Sequence, residues 1–154
     1  MSVSFSLQNR TFLVTGSTTG LGKAMAHALG AAGARVAMNY QNNTERAEAA
    51  FGDFQAAGYE GALFRASVID PDDVTRLNDE ITDKLGPVDG VVLNATPAQP
   101  LKPIEEYDWD FYQSMIDFFI KSPYLLTRAF LPHMREQQWG RIINKEWCLI
   151  SFFK

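Results

Sequence analysis

The stretch Thr11 to Gly22, TFLVTGSTTGLG, constrains the fold more than any other part of the chain. Thr11 to Thr15 is a short run of apolar and β-branched residues and reads as a buried strand. It runs directly into glycines at 16, 20 and 22, and a helical pattern follows. Gly16 can take the positive φ that a sharp turn needs. Gly20 lets another group come close to the backbone, and Gly22 lets the helix pack tightly on the strand. The free N–H groups at the start of such a helix, together with its dipole, favour an anion such as a pyrophosphate. Gly16, Ser17, Thr18, Thr19, Gly20, Leu21 and Gly22 are therefore candidate nucleotide-binding residues. A triphosphatase loop is excluded, because Gly22-Lys23 is followed by Ala24 rather than Ser or Thr. Lys23 reads as a solvated helix residue.

The rest of the chain alternates strand and helix. Leu21, Ala24, Met25, Ala28, Leu29 and Ala32 recur at helical spacing, and Gly33 ends that helix. His27 falls off this stripe, which puts it on the outer face. Ala34 to Asn39 is a second strand. Asn43 or Thr44 caps a helix with Ala47, Ala50, Phe51 and Phe54 on its apolar face and Gly58 as its stop. Ala62 to Ala66 is a third strand. Asp70 caps the next helix, with Pro71 at its first position and Asp72 and Asp73 in its first turn. Val74, Leu77, Ile81 and Leu85 form its buried stripe, and Gly86-Pro87 ends it. Val88 to Asn94 is a fourth strand. A loop with Pro97, Pro100 and Pro103 leads to one long helix from Asp108 to Met134, kinked at Pro123. Gly140 to Asn144 is a fifth strand.

This alternation implies parallel strands joined by right-handed crossovers. The expected fold is α/β: a Rossmann-like doubly wound sheet in the order 3-2-1-4-5, apolar on both faces and covered by helices on both. The 154 residues suit a single domain over 1–154. With 46% apolar and 21% charged residues the chain has an ordinary globular composition. A net charge of −4 gives no basic footprint for nucleic acid. Cys148, the single cysteine, rules out an internal disulfide. His27 and His133 have no metal-ligand spacing. Without a secretory start or a run of about 20 apolar residues, the expectation is a soluble cytoplasmic protein with no membrane span.

Thr15 to Gly22 fits T-G-x-x-x-G-x-G, and here the sequence resembles the short-chain dehydrogenase/reductase family. Leu93-Asn94-Ala95-Thr96 keeps the central Asn-Ala of that family's Asn-Asn-Ala-Gly. Tyr124 to Met134 resembles its long helix and Gly140 to Asn144 its fifth strand, so the likeness covers roughly Ser6 to Asn144. The resemblance implies an NADP or NAD cofactor and a small carbonyl or alcohol substrate. Adenosine is then expected near Asn39, Ser67 and Val68, and the nicotinamide side near Asn94, Ala95 and Thr96. Asn39 is neutral where an acid would select NAD, although no Arg stands in the glycine turn. The preference leans to NADP.

The departures bear on chemistry. Ser67-Val68 replaces the family's frequent Asp-Val. Phe119 stands at the asparagine of its proton relay. Trp147 stands at its catalytic serine, with Ser151 out of register. Its Tyr-x-x-x-Lys has no counterpart; Tyr124 with Arg128 is the nearest look-alike and reads as a packing pair. No catalytic residue is assigned. The expected behaviour is nucleotide binding without turnover; the alternatives are a non-enzymatic binding or interaction module, or an inert fragment. Lys145 to Lys154 has no likeness to the family, which suggests a truncated or frameshifted product, against a genuine distinct ending. Aromatic residues crowd the segment from Tyr107 onward, so the long helix 108–134 is expected to expose an apolar patch suited to a homo-oligomer. Glu105, Glu106, Asp108 and Asp110 read as a solvated helix start.

Overall fold

The structure is a computed structural model that describes residues 6–145. Cys148, Trp147, Ser151 and the tail from residue 146 lie outside the described residues. The elements are β1 (Thr11–Val14), α1 (Gly20–Ala31), β2 (Arg35–Tyr40), α2 (Thr44–Ala56), β3 (Gly61–Arg65), α3 (Pro71–Leu85) and β4 (Gly90–Leu93). A 3-10 turn (Ile104–Glu106), α4 (Trp109–Ile116), a π-helical segment (Asp117–Lys121), α5 (Ser122–Glu136) and β5 (Arg141–Asn144) complete the order. The sheet order is β3-β2-β1-β4-β5, and every pairing is parallel.

Strand periodicity divides the core in two. Phe12, Val14, Val36, Met38 and Val92 face Ala26 of α1 and Ala50 and Phe54 of α2. Leu13, Ala37, Phe64 and Val91 face Val74, Leu77 and Ile81 of α3 and Leu126 and Phe130 of α5. The α3 reading holds in full: Asp70 accepts the Asp72 and Asp73 N–H groups, Pro71 opens the helix, and Val74, Leu77, Ile81 and Leu85 are its buried residues.

The structure corrects several expectations. The buried face of α1 is Gly22, Ala26 and Gly30, while Leu21 is 54% exposed and Ala24 and Ala28 also face outward. Small residues at i, i+4 and i+8 win because α1 must lie close to its neighbours: a Cβ on Gly30 would crowd Phe54 and Tyr59. For the same reason His27 is not on an outer face. Its ring lies edge-on to Phe54 and Tyr59 at 5.5 and 5.7 Å. The long helix is present, unbroken through α4, the π-helical segment and α5, with the π-helical residues Asp117–Lys121 lying just before Pro123. Pro123, at the start of α5, has no N–H to continue the ladder, and the extra residue is absorbed just before it. Finally, all four β5 residues are exposed although α5 lies beside that strand, so the cover expected on both faces of the sheet does not extend to β5.

At the N-terminal end of the strands, Asp89 ties several elements together. It is 4% exposed and accepts from the Thr11 N–H (2.8 Å), Arg10 (3.1 Å) and Gln137 (2.7 Å), with His133 Nε2 at 3.7 Å.

Candidate nucleotide-binding site

At the opposite end of the sheet, β1 and β4 are neighbours from which the chain winds outward in both directions. That is the switch point at which doubly wound sheets form a crevice. A cleft of about 530 Å³ opens there. It is lined by Gly16, Thr18, Thr19, Gly20, Leu21 and Gly22, by Asn39 and Val68, and by Asn94, Ala95 and Thr96. The structure thus brings most of the sequence candidates to one place.

The turn is held from three sides. Thr15 Oγ1 accepts the N–H groups of Asn94 (2.8 Å) and Ala95 (3.0 Å). Asn94 Nδ2 donates to the carbonyls of Thr15 (2.9 Å) and Gly16 (3.0 Å). Ser17 donates to the Asn39 carbonyl through its N–H at 3.0 Å and its Oγ at 3.3 Å. The glycines divide the work. Gly16, at φ +60°, lies so close to Ala95 that a Cβ would stand 3.0 Å from its Cα. A Cβ on Gly22 would strike the Gly16 carbonyl and the Asn94 amide. Gly20, at φ +51°, faces open space with nothing within 4 Å of a would-be Cβ. Two glycines therefore close the turn and the third leaves room outside it.

The first turn of α1 fits an anion. α2, α3 and α4 each start on a side chain that accepts their first N–H groups: Asn43, Asp70 and Asp108. Thr19 at the start of α1 makes no such bond, and α1 has no acid in its first turn. Lys23 is turned away, paired with Asp53 of α2 at 2.5 Å.

Two candidates sit differently from the others. Ser17 is buried beneath the turn. Ser67 lies in an adjoining polar pocket with Arg65, Asp73 and Arg76, its N–H given to Asp73 at 2.7 Å. Asn39 lines the cleft but is 2% exposed, its amide spent on Gly16 N (3.4 Å) and the Ala66 carbonyl (3.1 Å).

Sequence reasoning missed two cations. Arg46 and Lys145 line the cleft, and no carboxylate does among the described residues. Arg46 is in the first turn of α2, and its side chain makes no hydrogen bond or ion pair among the described residues. A cation at the positive end of a helix is locally unfavourable, and that was the available signal. Lys145 Nζ donates to Asn94 Oδ1 at 3.3 Å, and burial lowers its pKa below the ordinary lysine range. Phe118, rather than its neighbour Phe119, lines the cleft beside them.

Fold and cleft together define a doubly wound α/β protein of the nucleotide-binding type. The family described as short chain dehydrogenase matches residues 10–145, and the chain belongs to it. It is 31% identical over 142 residues to a 2-dehydro-3-deoxy-D-gluconate 5-dehydrogenase of Formosa agariphila, covering 91% of this chain and 53% of that protein. It is 37% identical over 134 residues to a 3-oxoacyl-[acyl-carrier-protein] reductase of Synechocystis, covering 86% and 53%. Among solved structures it resembles a metagenomic short-chain oxidoreductase in complex with NADP, with a TM-score of 0.80, 30% identity and coverage of 92% and 63%. A putative gluconate dehydrogenase from Agrobacterium tumefaciens gives a TM-score of 0.84, 30% identity and coverage of 93% and 56%. The chain spans about half the length of the curated relatives it matches. No helix among the described residues is long and apolar enough to cross a membrane.

Proposed function

We propose that the cleft binds a nicotinamide dinucleotide, with the pyrophosphate over Gly16 to Gly22 and NADP preferred over NAD. The observation that carries this reading is the lining: an uncapped helix start, open space at Gly20 and, among the described residues, two cations and no carboxylate, in a chain of net charge −4. The adenosine end lies by Asn39 and Val68, with Ser67 just beyond. Arg46, next to Tyr40, Gln41 and Asn42 in the lining, supplies the charge for a 2′-phosphate. Asn94, Ala95 and Thr96 border the nicotinamide half.

When bound, the dinucleotide supplies hydride chemistry; this chain's residues bind and orient it. Carbonyl reduction or alcohol oxidation is the reaction class we propose for a protein that carries this segment. We do not assign that chemistry to the 154 residues alone. Tyr124, the only tyrosine four positions before a basic residue, is bonded to Arg128 on α5 at 2.7 Å. A positioned acid of matched pKa is what makes proton transfer to an alkoxide fast. The test is a titration of the 154-residue chain with NADPH, followed by a panel of ketones. Saturable binding without turnover is expected, with binding reduced in Gly20→Val, whose side chain fills the open space and strains the turn at φ +51°. Turnover well above the Gly20→Val rate contradicts the catalytic half of the proposal; binding unaffected by Gly20→Val contradicts the site.

Self-association is part of the same reading. Trp109, Tyr112, Ile116, Ile120 and Tyr124 are 41–67% exposed and follow one another three or four residues apart along α4, the π segment and α5. We assign this stripe to contact with a second copy of the chain.

A further inference from the structure

β1 leaves the sheet at Val14, level with Met38 of β2, and β3 leaves it at Arg65, level with Tyr40. Asn39 lies between these two exits. We propose that Asn39 is a positioning residue: its buried amide sets the glycine turn against the end of β3, and the choice between NADP and NAD does not run through it. The role rests on the nucleotide reading above.

The amide joins what the strand ladder no longer reaches. Its Oδ1 accepts the Gly16 N–H at 3.4 Å, and its Nδ2 donates to the Ala66 carbonyl at 3.1 Å, with the carbonyls of Tyr40 and Phe64 at 3.4 and 3.5 Å. The main-chain carbonyl of the same residue takes the Ser17 N–H at 3.0 Å and the Ser17 Oγ at 3.3 Å. One residue therefore holds the first two positions of the turn from the β2 side, while Asn94 holds the Gly16 carbonyl from the β4 side at 3.0 Å. An amide suits this place because Gly16 presents a donor and β3 presents acceptors. A carboxylate can only accept and would face those carbonyl oxygens out of reach of water. An acid near the end of this strand selects NAD by bonding the ribose hydroxyls. Asn39 is 2% exposed with both ends of its amide in use, so it is not placed for that contact. What it controls is the orientation of the turn and, through it, the N–H groups at the start of α1.

Two dinucleotides that differ only in the 2′-phosphate test this. Calorimetric titrations of NADP and NAD compare the parent chain with Asn39→Leu, which keeps the branching without the hydrogen bonds, with Asn39→Asp and with Arg46→Ala, each below the midpoint of its own thermal melt. Asn39→Leu should weaken both dinucleotides by the same factor, about tenfold, because both carry the pyrophosphate that the turn holds. Asn39→Asp should not tighten NAD. Arg46→Ala should weaken NADP alone. In the parent chain, which needs no variant to fold, hydrogen exchange of the Asn39 side-chain amide followed by NMR should already be slow without ligand. The proposal is overturned if Asn39→Leu binds both dinucleotides as the parent does or loses only one of them. It is also overturned if Asn39→Asp gains affinity for NAD, or if the Asn39 amide exchanges freely until NADP is added. If the parent binds neither dinucleotide, the nucleotide reading fails and this proposal with it; if the parent binds them, those outcomes overturn this proposal alone.

Discussion

Gly22 and Gly20 look alike in the sequence and do different things. Gly22 is needed because the fold leaves no space beside it, so Gly22→Ala should cost about 1–3 kcal/mol of stability through overpacking. Urea denaturation measures that, and an unchanged midpoint would contradict the close approach to Gly16 and Asn94. Gly20 faces outward at φ +51°, so its replacement meets no neighbour but strains the backbone of the turn, and both the strain and the filled space act on binding. Arg46→Ala should reduce NADP affinity about tenfold and leave NAD within about twofold, because only NADP carries the 2′-phosphate. Equal losses for both, read by calorimetry, would refute that assignment. The glycine spacing and Asn94 were legible because backbone geometry restricts which residues can serve. Arg46 and Lys145 were not, since a surface cation has no pattern of its own. Only the approach of α2 and β5 to the turn gives those two a direction.

Elements were legible to the extent that their ends carried their own chemistry. α3 announces itself through Asp70, Pro71 and a stripe of large apolar residues, and Asp70→Ala should cost about 1 kcal/mol. Denaturation checks this; no loss would mean that the first N–H groups find another acceptor. α1 was harder, because its fully buried residues are Gly22, Ala26 and Gly30, and a search for apolar spacing finds Met25 and Leu29 at the edge of the core but also takes in Leu21, Ala24 and Ala28, which face outward. Beneath the sheet, Asp89 joins β1, β4 and α5. Burial pushes its carboxyl pKa up, but the Thr11 N–H, Gln137 and Arg10 outweigh burial and hold it below the ordinary range. A depressed folded-state pKa means that the stabilisation is fully present above the unfolded value of about 3.9 and is lost as pH falls through the folded value. Stability followed from pH 6 downward should therefore drop at acid pH, and the drop should shrink in Asp89→Asn. That variant should also lose about 1–3 kcal/mol at neutral pH. An identical pH profile in parent and variant would contradict the linkage.

For the whole molecule, strand order followed from the alternation of strand and helix, because right-handed crossovers leave few other arrangements. What covers β5 could not be read that way. Ile142 and Ile143 are 38% and 47% exposed, although their sequence matches that of a buried strand. The stripe from Trp109 to Tyr124 is exposed in the same way, and Ile120→Asp should shift the chain toward monomer in sedimentation. An unchanged distribution would remove the self-association assignment. The central claim is that one cleft at the β1–β4 switch point seats a nicotinamide dinucleotide. Backbone amide NMR of the 154-residue chain titrated with NADP tests it directly. The account predicts saturating shifts at Gly16 to Gly22, at Arg46 and at Asn94 to Thr96, with Asp89 and Gln137 at the far end of the sheet unmoved. Shifts confined to that far end, or none at saturating NADP, would contradict it.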